Sequence, residues 1–94
     1  QLRTRVLLWA KEEIEMKKIP PQTIQILEKV LYRGEISRGD LPELLNVTER
    51  HARRLTSSLI EIGILSSESA KSSIKLAFPA KFANRWMPGL FPEE

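Results

Sequence analysis

No cysteine occurs in the 94-residue chain. Disulfides and thiolate chemistry are therefore excluded, and a reducing, intracellular setting is expected. One histidine cannot make a metal-ligand set, so neither a metal nor any other cofactor is expected. No apolar run approaches the roughly 18 residues that would span a bilayer, and Gln1-Leu2-Arg3-Thr4 lacks the form of a signal peptide. A cytoplasmic protein without a membrane partner is the expectation. Glycine is scarce and nowhere clustered into a loop that could cradle phosphates. A start at Gln1 rather than Met leads us to expect a fragment of something longer, with any chemistry upstream.

What is present suits one compact domain. Hydrophobic residues make up 41% of the chain, enough for a single core that buries roughly 60 to 65% of the unfolded surface. Fifteen basic residues against twelve acidic ones leave a formal charge of +3. That mildly favours a polyanionic partner, and the distribution of the charges must decide.

Helical spacing predicts a first helix over residues 2–18, with Leu2, Val6, Trp9 and Met16 on one stripe and Leu7 and Ile14 pointing the other way. A helix apolar on two faces suits a connector, over residues 1–19. Pro20 and Pro21 end it and suit the first turn of a second helix that runs to about Arg33. There Ile24, Leu27 and Leu31 form the main apolar row, Ile26 and Val30 widen it, and Gly34 supplies the left-handed stop. Residues 35–37 can be extended and pair with a later hairpin. Ser37 or Asp40 caps a third helix that buries Leu41, Leu44 and Leu45, and Asn46 accepts the left-handed conformation of a sharp turn. Val47 covers the core beneath that turn. Thr48 then caps a fourth helix, over 48–62, which Gly63 terminates.

Residues 64–68 and 73–78 read as a two-stranded hairpin, since Ile74, Leu76 and Phe78 alternate with Lys75 and Ala77. Its connection has no glycine, so a long, mobile tip is expected rather than a two-residue turn. Residues 81–87 form a last short helix before a proline-broken tail. The predicted fold is mostly α with a small β-hairpin: a winged helix-turn-helix over 20–78, preceded by the connector and followed by a C-terminal segment, 79–94.

At about 100° per residue, Arg50, Arg53, Arg54 and Ser57 fall in one sector of the fourth helix, opposite Ala52, Leu55, Leu59 and Ile62. Three guanidinium groups thus begin in the first turn, the part of a recognition helix that meets bases and phosphates. Their planar forks suit phosphate oxygens or guanine edges. His51 flanks the face, and Lys71 and Lys75 in the wing can add backbone contacts. The competing reading is a solvated face in which the arginines pair with Glu49 and Glu61. Trp9 and Trp86 read as packing anchors for a core or an interface, together with Met87, Leu90 and Phe91 in the tail. No catalytic residue is expected: Ser57, Ser58 and the wing serines have no companion His and Asp, and Glu12 and Glu13 read as solvating.

From Gly34 onward, GEISRGDLPELLNVTERHARRLTSSLIEIGIL resembles the winged-helix module that follows the catalytic core in many bacterial Fic proteins. The ending LAFPAKFANRWMPGLFP is similar to the proline, short helix and proline-glycine-leucine-aromatic-proline close of those proteins. The likeness spans residues 33–92, with Met87, Asn46 and Pro42 standing where an aromatic, a glycine and an alanine are usual. It implies a parent protein that transfers AMP from ATP to hydroxyl side chains of target proteins. The HPFxDGNGR loop that does so has no counterpart here. Ser57 to Glu61 matches the family's inhibitory S-x-x-x-E only by chance, because Ile62 follows where glycine or asparagine belongs. Two functions are therefore expected to compete. One is a duplex-DNA-binding module of a transcription-regulating kind. The other is a docking module for the Fic catalytic core of the parent chain, or for a second copy in a homodimer.

Overall fold

The computed structural model describes residues 2–77 and Trp86. Four helices and a small antiparallel sheet follow in the order α1 (Leu2–Glu15), α2 (Thr23–Arg33), β1 (Glu35–Ile36), a 3-10 turn (Arg38–Asp40), α3 (Leu41–Leu45), α4 (Glu49–Ile62), β2 (Leu65–Ser66) and β3 (Ile74–Leu76). The mostly helical fold with a hairpin wing is the one expected. The short C-terminal helix over 81–87, and Phe78 of the hairpin, fall outside the described residues, Trp86 excepted.

Local backbone chemistry sets most of the boundaries. Gly34 and Gly63 close α2 and α4 at φ of 89° and 101°, a region that costs a side chain dearly and glycine little. Asn46 takes φ 55°, ψ 50° at the end of α3. The amide of Val47 there donates to the carbonyl of Pro42 across 3.0 Å, so the chain reverses sharply into α4. The extended segment before α3 pairs as expected. β1 lies antiparallel to β3 with Ile36 opposite Ile74, and β3 lies antiparallel to β2 with Leu65 opposite Leu76. The later strand is thus the central one.

Several boundaries differ from expectation. The second helix begins at Thr23 with Gln22 at its N-cap, so Pro20 and Pro21 precede it and do not form its first turn, and the hairpin strands are shorter than expected, at Leu65–Ser66 and Ile74–Leu76. The first helix ends at Glu15, before the prolines, because Lys17 turns left-handed at φ 60° and the amides of Lys17 and Lys18 return to the carbonyls of Ile14 and Glu13. Met16, expected on the buried stripe, is consequently 55% exposed. Neither Ser37 nor Asp40 caps α3 through its side chain. The 3-10 turn stands between them, and the Asp40 amide donates to the Ser37 carbonyl instead.

One core joins all the elements. Helix α2 touches α1, α3, β1 and β3, and it buries Ile26, Leu27 and Val30, while Ile24 and Leu31 are only half-buried. The expected row was therefore centred one position off, since a helix enclosed on several sides needs a wider stripe than a surface helix. Val6, Trp9 and Ala10 of α1 belong to the same core, as do Leu41, Leu45, Leu55, Leu59, Ile64 and Ile74. Leu44, expected inside, is half-buried.

Thr23, at the start of α2, is fully buried, and its hydroxyl has no hydrogen-bond partner among the described residues. Desolvating an unpaired hydroxyl costs free energy that a methyl group of the same shape avoids. Thr23→Val should raise stability by about 1 kcal/mol in urea denaturation. A destabilised variant would mean that this hydroxyl is paired in solution.

Candidate nucleic-acid interface

Helix α4 begins on Thr48, which is extended at φ −73°, ψ 162° and whose Oγ1 accepts the amide of His51 across 3.1 Å. That bond satisfies one of the four amides that a helix start leaves orphaned. Glu49 in the first turn adds a favourable interaction with the positive end of the helix dipole. Thr48→Ala should cost about 1 kcal/mol of stability in denaturant titration, since no neighbour replaces the lost acceptor. A change within a few tenths would show that water caps the helix equally well.

From this start, the fourth helix turns as its pattern requires. Ala52, Leu55, Thr56 and Leu59 are buried, and Arg50, His51, Arg53, Arg54 and Ser57 are exposed. Thr56 fits the apolar side because its hydroxyl donates to the Ala52 carbonyl at 2.9 Å, which removes the cost of burying it. Ile62, at the end of the same side, is half-buried.

The arginines are not equivalent. Arg53 reaches Glu49 one turn earlier at 3.5 Å, with both side chains more than 70% exposed. Such a pair is worth only a few tenths of a kcal/mol, little enough for a phosphate to displace it. Arg50 and Arg54 have no carboxylate at ion-pair distance among the described residues. Glu61 pairs with none of the three, so the solvated ion-pair alternative accounts for one arginine of the three.

The wing lysines are both exposed. Lys75 sits on β3 directly across from Glu35, a register that offsets part of its charge. Lys71 lies in the hairpin tip. An open groove of about 690 Å³ runs between the 3-10 turn, α4 and this tip, and Arg53 and Lys71 line it together with Arg38. Glu43 and Glu49 line it too, so its charge is mixed. Arg50, Arg54 and Lys75 are not among the residues lining it.

The tip is long, as expected, and its serines at 67, 69 and 72 are hydrogen-bonded. Ser67 Oγ lies 2.9 and 3.0 Å from the carbonyl oxygens of Ser69 and Ser72, with its one O–H in reach of either, and the Ser69 and Ser72 hydroxyls bond one another at 2.8 Å. Arg38 reaches the same two carbonyls from outside the hairpin. No spacing in the sequence marks that contact, because Arg38 and Ser72 stand 34 positions apart.

Trp9 and Trp86 meet edge to face, with ring centroids 5.5 Å apart and planes at 73°. Both are buried, so Trp86 packs on α1 and neither indole lies on a surface that a partner could reach. Met87, Leu90 and Phe91 lie outside the described residues. Among the described residues no three His, Asp or Glu side chains gather to hold a metal ion, and no helix is long and apolar enough to cross a membrane. Compared with protein-family models, curated proteins and solved structures, the chain matches none.

Proposed function

We propose that this chain is a winged-helix module that binds duplex DNA, with α4 as the recognition helix, and that it belongs to a Fic family protein. The observation that carries the DNA-binding part is the exposed guanidinium face of α4, set on a helix whose opposite side is locked in the core. A rigid helix presenting three cations from its first two turns matches the dimensions and donor requirements of the major groove. Lys71 and Lys75 in the wing are exposed as well and add candidate contacts to the phosphate backbone. The Fic assignment rests on the residue order from Gly34 to the proline-rich ending. On it, the chain contributes binding to a parent protein whose AMP-transferring core is supplied elsewhere. As a DNA-binding module it works in the cytoplasm.

The test is fluorescence anisotropy of the chain on random duplex DNA across salt concentrations. Five phosphate-neutralising cations give a slope of roughly −4.5 in log affinity against log salt. So few contacts hold one module weakly at physiological salt, and tight binding needs a second module or a tether. A signal that stays flat at low salt would eliminate DNA binding.

The alternative is docking on the Fic core or pairing with a second copy. It draws on the large apolar side chains left in solvent on the first two helices and just after α1, Leu8, Tyr32 and Met16. Flat anisotropy would leave docking as the better account.

A further inference from the structure

The hairpin is too short to orient its own tip. β2 has two residues and β3 three, and ribbons of that length are marginal in isolation. The connection between them, residues 67–73, contains no glycine and no buried side chain. Among the described residues, the hydrogen bonds that join this tip to the rest of the molecule come from Arg38. Its Nε donates to the Ser72 carbonyl at 2.9 Å and its Nη2 to the Ser69 carbonyl at 3.1 Å. From within the hairpin, the single O–H of Ser67 is within reach of either of the same two oxygens. The guanidinium fork sets two points of the tip at once. Arg38 itself has a firm base, because the 3-10 turn carrying it leads directly into α3 through the buried Leu41.

We propose that Arg38 is a positioning residue of the interface. It ties the wing to the helix-turn-helix and so sets where Lys71 stands relative to the arginine face of α4, across the groove that Arg38, Arg53 and Lys71 line. The consequence for binding rests on the DNA-binding reading above; the tie itself does not. A lysine cannot replace it, because a single ammonium lacks the planar fork that spans two carbonyls.

The experiment uses the full 94-residue chain in two arms. In the first, without DNA, NMR backbone order parameters are measured for Arg38→Ala, Arg38→Lys and Ser67→Ala. Values for residues 69–73 should fall below about 0.6 in both Arg38 variants while α4 stays near 0.85, which also shows that the fold is intact. Ser67→Ala should loosen the tip in the same direction. Unchanged order in both Arg38 variants would overturn the proposal.

In the second arm, duplex affinity should fall about fivefold in Arg38→Ala and equally in Arg38→Lys, and adding Lys71→Ala to either should change it little further. Wild-type affinity in Arg38→Lys would show that Arg38 acts as a charge and not as a tie, and would also overturn the proposal. If the unmodified chain binds no duplex, the DNA-binding reading fails, and the order parameters still decide whether Arg38 fixes the tip.

Discussion

Replacing Arg50, Arg53 and Arg54 together by Glu should abolish binding to duplex DNA and leave the fold standing. Each replacement changes the charge by two, so a formal +3 becomes about −3, concentrated on the face that would meet phosphates. Three of the five cations that could release counterions are lost, so any residual salt slope should shrink from roughly −4.5 to about −2. Affinity should drop by more than about a hundredfold at low salt, because like charges then face the backbone.

The fold should survive because all three side chains project into solvent. The helix-level effects are small and opposed. Glu at position 50 suits the positive end of the helix, while the new glutamates put like charges one turn apart at positions 49 and 53 and at 50 and 54, and each effect is worth about half a kcal/mol. Circular dichroism and a denaturant midpoint close to that of the parent chain check this, and anisotropy checks the binding. Binding that persists in the reversed chain would show that α4 is not the contacting element, and would end the DNA reading.

Legibility in the sequence divides by the range of the interaction. Gly34, Asn46, Gly63 and Thr48 were readable because each answers a requirement of its own backbone, left-handed φ or an orphaned amide, that few residue types meet. The two sides of α4 were readable because one face is packed over most of its length and the other is exposed. A short strand at residues 35 and 36 was readable from its place between a helix stop and a helix start.

What was not readable depends on neighbours distant in the chain. Nothing about a lysine favours φ of 60°, so the left-handed Lys17 that follows the early end of α1, and the exposure of Met16 beside it, could not be read from residue type. The buried hydroxyls of Thr23 and Thr56 look like surface residues by type. One is satisfied by the carbonyl one turn back and one is not, a distinction that depends on the packing around each. The grip of Arg38 on the wing is a contact between a side chain and backbone carbonyls, which leaves no trace in residue type at the accepting end.

Trp86→Ala should be strongly destabilising. The ring is fully buried and stands edge to face on Trp9. Truncating a buried tryptophan costs about 3 to 5 kcal/mol through lost transfer free energy and the cavity left behind, against a total of about 5 to 15 kcal/mol for a domain of ordinary stability. The melting temperature should fall by at least about 12 °C. Trp9→Ala should cost a similar amount, and the double variant should cost less than the two together, because the aromatic contact worth about 1 kcal/mol is lost only once.

This bears on how the docking reading can be tested. Removing residues 84–94 takes Trp86 with it, so a truncated chain that no longer assembles would have lost its core anchor as well as any partner surface, and the two causes would look alike. Substitutions that spare Trp86, at Met87, Leu90 and Phe91, separate them. If Trp86→Ala changes stability by less than about 1 kcal/mol, the indole is not part of the core in solution, and its use by a partner returns as the better account.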